Sequence, residues 1–351
     1  MPFCDPRGKG CRNTSERTTT KRIETTNGTI IIRMKESILL PQWLDDIIFN
    51  EYKAVYEPRP EEVMSNADKD YDFAKLYLGT YFPRSYAEAY HIFGRLLDNK
   101  NYYRIMNGFS ELSILDFCCG TGGEIFGIIS ILHERIPNLK SIRIDAFDAN
   151  SDYIRFLFHL GEKLKENIGI NVIINPQCYH ITTEQHLQDI VSYTNTLYHI
   201  VLSCKALNEF IQHDVFPNEN IYEKIARAFL QCLNKNGVLL LSDLSHKAPQ
   251  KGVFYPEIMN IGFNSLLRSD NSYKSFYPYP CFFYEHQCSG CYMQDIVYVS
   301  HSRRVKDISK ISYRIIGKVD FVEKLMSGIP TQQICRANFP NADKSIPYQS
   351  K

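Results

Sequence analysis

Ile114–Glu124 reads ILDFCCGTGGE, and this stretch decides the fold. Ile114-Leu115-Asp116-Phe117 has the composition of a short buried strand. Cys118-Cys119-Gly120-Thr121-Gly122-Gly123 is a tight turn. Ile125, Ile128, Ile129 and Leu132 then fall at i, i+3, i+4 and i+7, one apolar face of a helix. Strand, glycine turn and helix open a Rossmann-like βα unit, whose glycines let the backbone approach a ligand. The turn also limits that ligand. The dinucleotide fingerprint G-x-G-x-x-G lacks its last step at Gly120-x-Gly122-Gly123, and no G-x-x-x-x-G-K-[ST] phosphate loop occurs.

Outward from the turn the pattern repeats. Ser141–Asp148 alternates and ends in an acid, and Tyr153, Leu157, Leu160 and Leu164 mark the helix after it. Asp148 stands 28 residues beyond Gly120 at the C-terminal end of this second strand, where a carboxylate accepts both hydroxyls of a ribose or caps the following helix. Asn171–Asn175, His199–Ser203 and Val238–Ser242 are three further strands, with a helix over Ile221, Ile225, Phe229 and Leu233. Alternation at this rhythm predicts an α/β fold, a Rossmann-like, doubly wound, mostly parallel sheet with its site at the strand C-termini.

The chain has 351 residues, 44% hydrophobic, with a net charge of +1. That supplies a sizeable core and no global field toward nucleic acid. There is no apolar run long enough for a membrane span and no hydrophobic signal core at the N-terminus. Eleven cysteines, an odd number scattered through core elements, fit a reduced cytoplasmic protein. Residues 1–35 are polar, with a short strand predicted at Thr29–Arg33. Helices are predicted from Pro41 (Leu44, Ile47, Ile48, Tyr52), over Asp70–Tyr81, and, after Phe82-Pro83, over Ser85–Leu97. Packing alone explains their apolar stripes.

The order acid-x-x-x-Gly-x-Gly from Asp116 resembles motif I of class I S-adenosylmethionine (SAM) methyltransferases, with Cys118 where that family has its first glycine. The Asn/Asp-Pro-Pro-Tyr loop of amino methyltransferases is absent, since Ser203-Cys204-Lys205-Ala206 follows the fourth strand. A cytosine-5 enzyme needs a Pro-Cys nucleophile at that strand, whereas Pro280-Cys281 lies beyond the fifth. Leu76–Phe93 (LYLGTYFPRSYAEAYHIF), Val201–Phe210 (VLSCKALNEF) and Pro280–Cys291 (PCFFYEHQCSGC) together resemble the mitochondrial small-ribosomal-subunit assembly methyltransferase-like proteins and their bacterial relatives. The resemblance implies a seven-stranded sheet and a cofactor held by Asp116, Phe117, Cys118, Gly120, Thr121 and Gly122 at the turn. Asp148 and Ala149 would meet its ribose, Cys178 and Tyr179 its adenine, and Ser203 would stand at the mouth of the fourth strand. Asn208 and Glu209, just past that strand, are placed to orient or deprotonate the methyl acceptor, or to cap the next helix.

Cys281-x6-Cys288-x2-Cys291 is a second signal. A Cys-x-x-Cys loop pre-positions two thiolates for one metal, and three cysteines need a fourth ligand. Cys335 is the leading candidate, followed by His286 and His301. Spacing leaves zinc and a 4Fe-4S iron–sulfur cluster open; the resemblance favours the cluster. Six of the nine residues Phe276–Tyr284 are aromatic, and Arg303, Arg304, Lys306 and Lys310 follow, a pairing that stacks and clamps unpaired RNA bases or packs a metal site.

The expected layout is a polar tail (1–35), a helical N-terminal domain (36–108), a SAM-binding core (109–250), and remaining strands with a Cys-rich metal-binding insertion (251–351). The expected function is SAM-dependent methyl transfer, on RNA or in small-ribosomal-subunit assembly. The alternatives are a catalytically silent SAM-binding assembly factor on small-subunit ribosomal RNA and a small-molecule methyltransferase.

Overall fold

A computed structural model describes residues 23–25, 28–30, 37–58, 70–193, 196–249, 252–283 and 293–331. Residues 1–36 and 37–351 form separate compact units. In the first, β1 (Ile23–Thr25) and β2 (Gly28–Ile30) pair as an antiparallel hairpin, and β2 overlaps the strand expected at Thr29–Arg33.

The second unit is built on one nine-stranded sheet. Its strands are β3 (Ile38–Leu39), β4 (Glu111–Phe117), β5 (Ser141–Asp148), β6 (Asn171–Cys178), β7 (Tyr198–Cys204), β8 (Leu233–Leu244), β9 (Tyr273–Tyr277), β10 (Asp295–His301) and β11 (Arg304–Lys318). The order is β3-β10-β11-β8-β7-β4-β5-β6, with β9 also on β11. Strands β4 to β8 are parallel. From β4 the chain winds outward through β5 to β6, then returns to the other side of β4 with β7 and β8. The reversal leaves a crevice at the C-terminal ends of β4 and β7, where doubly wound sheets bind ligands.

Nine strands replace the seven expected, and the reason is the length of β11. It lies antiparallel to β8 along Ile311–Gly317 and continues past β8 to Arg304. Its outer edge is too long for β10 alone. β10 covers Arg304–Ile311, β9 covers Ile315–Lys318, and β3 in turn pairs with β10. Backbone N–H and C=O groups that an exposed edge would leave unpaired are thereby bonded.

Eleven helices accompany the sheet: α1 (Gln42–Asp46), α2 (Tyr71–Asp98), α3 (Lys100–Met106), α4 (Gly123–Arg135), α5 (Ser151–Asn167), α6 (Glu184–Tyr193), α7 (Leu207–Gln212), α8 (Ile221–Phe229), α9 (Tyr255–Ser269), α10 (Tyr279–Phe283) and α11 (Val319–Met326). They cover both faces. Alternation along β4 sends Leu112 and Ile114 into a core shared with α2, α4 and α5, and Leu115 and Phe117 into a second core with α6, α8 and α9. Phe117 stacks on Phe229 with ring centroids 4.1 Å apart.

The break expected at Phe82-Pro83 is absent: α2 runs unbroken for 28 residues with Pro83 inside it. A proline in a helix interior removes one hydrogen bond and costs about 3 kcal/mol. Burial on both sides offsets that cost, since Leu78, Phe82, Tyr86, Ala87 and Ala89 are all at most 2% exposed. The backbones of α2 and α4 nearly touch. A Cβ built on Gly127 would sit 2.2 Å from the carbonyl oxygen of Tyr86. Among the described residues no helix is long and apolar enough to cross a membrane.

Candidate functional site

The bend after β4 is made by three residues in the left-handed region: Cys118 (φ +60°), Gly120 (φ +51°) and Gly122 (φ +85°). Glycine takes this conformation without steric cost, whereas Cys118 takes it at a penalty. Neighbouring bonds hold it there. Cys119 N–H donates to the Phe147 carbonyl at 2.9 Å, and Gly122 N–H to the Cys119 carbonyl at 2.9 Å. Gly122 then caps α4.

Asp148 closes the bend from β5. Its Oδ2 accepts the Gly120 N–H at 2.7 Å and its Oδ1 the Asn150 N–H at 2.9 Å. Burial raises its pKa, opposed by the backbone N–H groups of Asn150, Gly120 and Ala149. Asn150 caps α5 by accepting from Asp152 N–H and Tyr153 N–H. Tyr179 N–H donates to the Asp148 carbonyl at 2.7 Å, and the Cys178 thiol donates to the Ala149 carbonyl.

Two connected cavities open here. One, about 790 Å³ and open to solvent, is lined by Cys118, Asp148, Ala149, Tyr153, Tyr179 and Glu209, among others. That volume is in the range of small-ligand and cofactor clefts. The other, about 560 Å³, lies under α2 and is lined by Tyr77, Tyr81, Thr121, Glu124, Asn208 and Glu209, among others. Tyr77, Cys204, Lys205 and Glu209 line both.

Carboxyl groups dominate the electrostatics. Asp116 is fully buried and neither carboxylate oxygen has a hydrogen-bond partner; burial, then Glu124 and Asp148, push its pKa well up. Burial raises Glu124 to about 8. Glu209 rises to about 7 through burial, then through Asp148 and Asp243. Lys205, with a left-handed backbone, donates to Glu88 at 2.9 Å, and Glu88 also accepts from Ser309.

The structure brings together Cys118, Gly120, Thr121, Gly122, Asp148, Ala149, Tyr179, Asn208 and Glu209. Cys178 is exposed beside them. Phe117 and Ser203 are 0% exposed and line neither cavity. Each lies two residues from a member of the α6–α8–α9 core (Leu115, Val201), so strand alternation turns both away from the cleft. Asn208, with its amide nitrogen turned toward them, donates to the Lys205 carbonyl at 2.9 Å and to Asp243 Oδ1 at 2.8 Å. It braces the loop that carries Glu209.

Sequence reasoning missed Tyr77, Tyr81, Tyr153, Glu124 and Lys205. Tyr77 and Tyr81 were assigned to packing; they roof the cleft instead. A Cβ on Gly120 would lie 3.0 Å from the Tyr77 hydroxyl, and the Tyr77 ring stacks on Tyr153 at 4.3 Å.

Of the proposed metal ligands, only Cys281 falls among the described residues. It is half-buried in α10 and lines neither cavity. Cys288, Cys291 and Cys335, and His286, lie outside them. His301 sits at the other end of β10 from Asp295, stacked on Phe49 at 5.2 Å. Among the described residues no group of three or more His, Cys, Asp and Glu side chains is arranged to hold a metal ion. The expected Cys-rich metal-binding insertion is therefore absent from the described fold.

No protein-family model matches this sequence, and no curated protein does at a significant level. Similar solved structures include the plantazolicin methyltransferase BpumL in complex with SAH, at 14% identity over 78% of this chain and 93% of that one, TM-score 0.35. The magnesium protoporphyrin IX methyltransferase of Synechocystis PCC 6803 with bound SAM is 10% identical over 77% and 96%, TM-score 0.34. A candidate rRNA-methylase from Clostridium thermocellum is 11% identical over 64% and 95%, TM-score 0.34. All three are named as methyltransferases or methylases. At these scores the likeness bears no weight here, and the Rossmann-like assignment stands on the sheet order alone.

Proposed function

We propose that the chain is a SAM-dependent methyltransferase that holds its cofactor at the bend after β4. The observation that carries this reading is Asp148, whose carboxylate is fixed against the Gly120 N–H at 2.7 Å with lone pairs left for two ribose hydroxyls. A fit test on buried polar atoms agrees. The Asp116 carboxylate and the Tyr153 hydroxyl are buried without partners at this bend, and an adenosyl ligand with a cationic sulfonium and ammonium supplies what an orphaned carboxylate lacks.

SAM, when bound, supplies a methyl group on a positively charged sulfur, which needs alignment more than side-chain chemistry. The chain's own residues would do the rest. Asp148, with Ala149 and Tyr179, fixes the adenosine. Tyr77 and Tyr81 shelter the reacting end from water. Glu209, poised near neutrality, takes a proton from the acceptor. Asn208 positions Glu209.

A second reading, transfer to RNA or docking on small-subunit ribosomal RNA without transfer, rests on the sequence resemblance and on one surface. Arg303, Arg304, Lys306 and Lys310 are exposed. Ile311 pairs with Leu244, the last residue of β8, so this basic hairpin end projects past the sheet edge on which the cleft opens. Phosphate contacts there would make RNA binding fall steeply with salt. Transfer of labelled methyl from SAM to a small acceptor, without salt-dependent RNA binding, favours the first reading. Steep salt-dependent binding favours the second, and tight SAM binding with no transfer to either favours a silent assembly factor. The four-cysteine metal centre is a separate proposal, tested by metal analysis and an absorption spectrum of anaerobically purified protein.

A further inference from the structure

The acceptor half of the cleft is rich in hydrogen-bond acceptors and poor in donors. Glu124 and Glu209 both line the cavity under α2, as does Lys205. The Lys205 ammonium is already engaged by Glu88 at 2.9 Å, so its charge is not available to a ligand. The tyrosines add negative ring faces. Tyr77 stands 4.8 Å from Tyr81 and 4.3 Å from Tyr153, centroid to centroid. Tyr153 is 2% exposed, lines the adjoining cavity, and its hydroxyl has no partner.

We infer that the methyl acceptor is a small protonated amine, held by the Tyr77–Tyr81 rings and the Glu124 and Glu209 carboxyl groups. This rests on the methyl-transfer reading and narrows it. An ammonium has donors and no acceptors, the complement of this wall, and it is attracted to aromatic faces. A carboxylate or phosphate acceptor would meet like charge. A hydroxyl acceptor would have to build oxyanion character beside carboxylates, which disfavours it. In the step itself the ammonium gives one proton to the Glu209 carboxylate. The nitrogen lone pair then forms the N–C bond as the S–C bond of SAM breaks and its electron pair stays on sulfur. The products are a methylated ammonium and the neutral thioether.

The test uses the full chain loaded with the demethylated cofactor SAH, whose binding is measured first. Phenethylamine, 2-phenylethanol and 3-phenylpropionate, alike in shape and different in head-group charge, are then titrated in. The amine is expected to bind at least about 10-fold more tightly than the alcohol, and the carboxylate not to saturate. Tyr81→Leu and Glu209→Gln are each expected to remove most of that preference while leaving alcohol binding within about 2-fold. With SAM in place of SAH, mass spectrometry should find N-methylphenethylamine. Equal binding of alcohol and amine, preference for the carboxylate, or methylation of RNA with no amine binding would overturn the inference while leaving methyl transfer intact. Failure of SAH to bind at all would overturn both.

Discussion

The Asp148 carboxylate accepts the Gly120 backbone N–H at 2.7 Å, tying the end of β5 to the bend that follows β4. The same group accepts Asn150 N–H with its other oxygen. Asp148→Ala leaves two donors at the cleft without their charged partner, and hydrogen bonds to charged groups contribute about 1.5–3 kcal/mol each. Loss of about 2 kcal/mol in urea unfolding is expected, together with loss of measurable SAM binding. Asp148→Asn, which keeps one acceptor, should fall between. Undiminished SAM affinity in the alanine variant would show that the carboxylate is a structural clamp only.

Cys118 occupies a left-handed position, φ +60°, that glycine takes freely. Cys118→Gly trades that penalty, about 1–2 kcal/mol, against the larger entropy glycine loses on folding, about 0.5–1 kcal/mol. The variant should be about 0.5 kcal/mol more stable by denaturant titration. Cys118→Val, with a β-branched side chain, should be less stable than the parent. A glycine variant that unfolds earlier would mean that the thiol makes up for the strain.

Buried acids set the pH dependence. Glu124 is raised to about 8 from an ordinary value near 4.5, and Asp116 is raised in the same direction. The folded state thus binds more protons than the unfolded state between those limits, so stability falls as pH rises from 4.5 through 8. The melting temperature without cofactor should therefore drop from pH 5 to pH 8. Glu124→Gln should flatten the profile and raise the pH 8 value. A profile that climbs over this range, or one unmoved by the substitution, contradicts the buried, uncompensated state of the acids.

Gly127 marks the closest approach of α2 to α4, with a Cβ there 2.2 Å from Tyr86 O. Gly127→Ala must push apart the helix that roofs the cleft. Overpacking of this kind costs about 1–3 kcal/mol, and scanning calorimetry should register it against any gain in helix propensity. SAM binding should weaken too, because Tyr77 and Tyr81 ride on α2. An alanine variant as stable as the parent would mean the two helices are free to separate.

What the sequence made legible was local. A strand, a glycine turn and the acid ending the next strand all lie within one βα repeat, and hydrophobic periodicity marks each. Asp148 and Gly120 were paired on paper for that reason. The roof was not legible, because Tyr77 and Tyr81 at helical spacing look the same whether they face a core or a ligand. Pro83 divided α2 on paper because local chemistry argues for a break; burial along both halves overrides it. Phe117 and Ser203 were assigned to the cofactor by neighbourhood alone. The two-residue alternation of β4 and β7, already visible in Leu115 and Val201, was the signal that would have turned them inward. Beyond β8 the extra strands depend on which edge of β11 needs covering, a question of tertiary structure that no window of sequence poses.

The central claim is that the bend after Phe117 holds an adenosyl sulfonium ligand. Isothermal titration of SAM, and separately of SAH, into the full chain tests it most directly. A saturable heat with one site per chain, abolished in Asp148→Ala, is the result expected. No heat from either ligand, or equal affinity in the alanine variant, would contradict it.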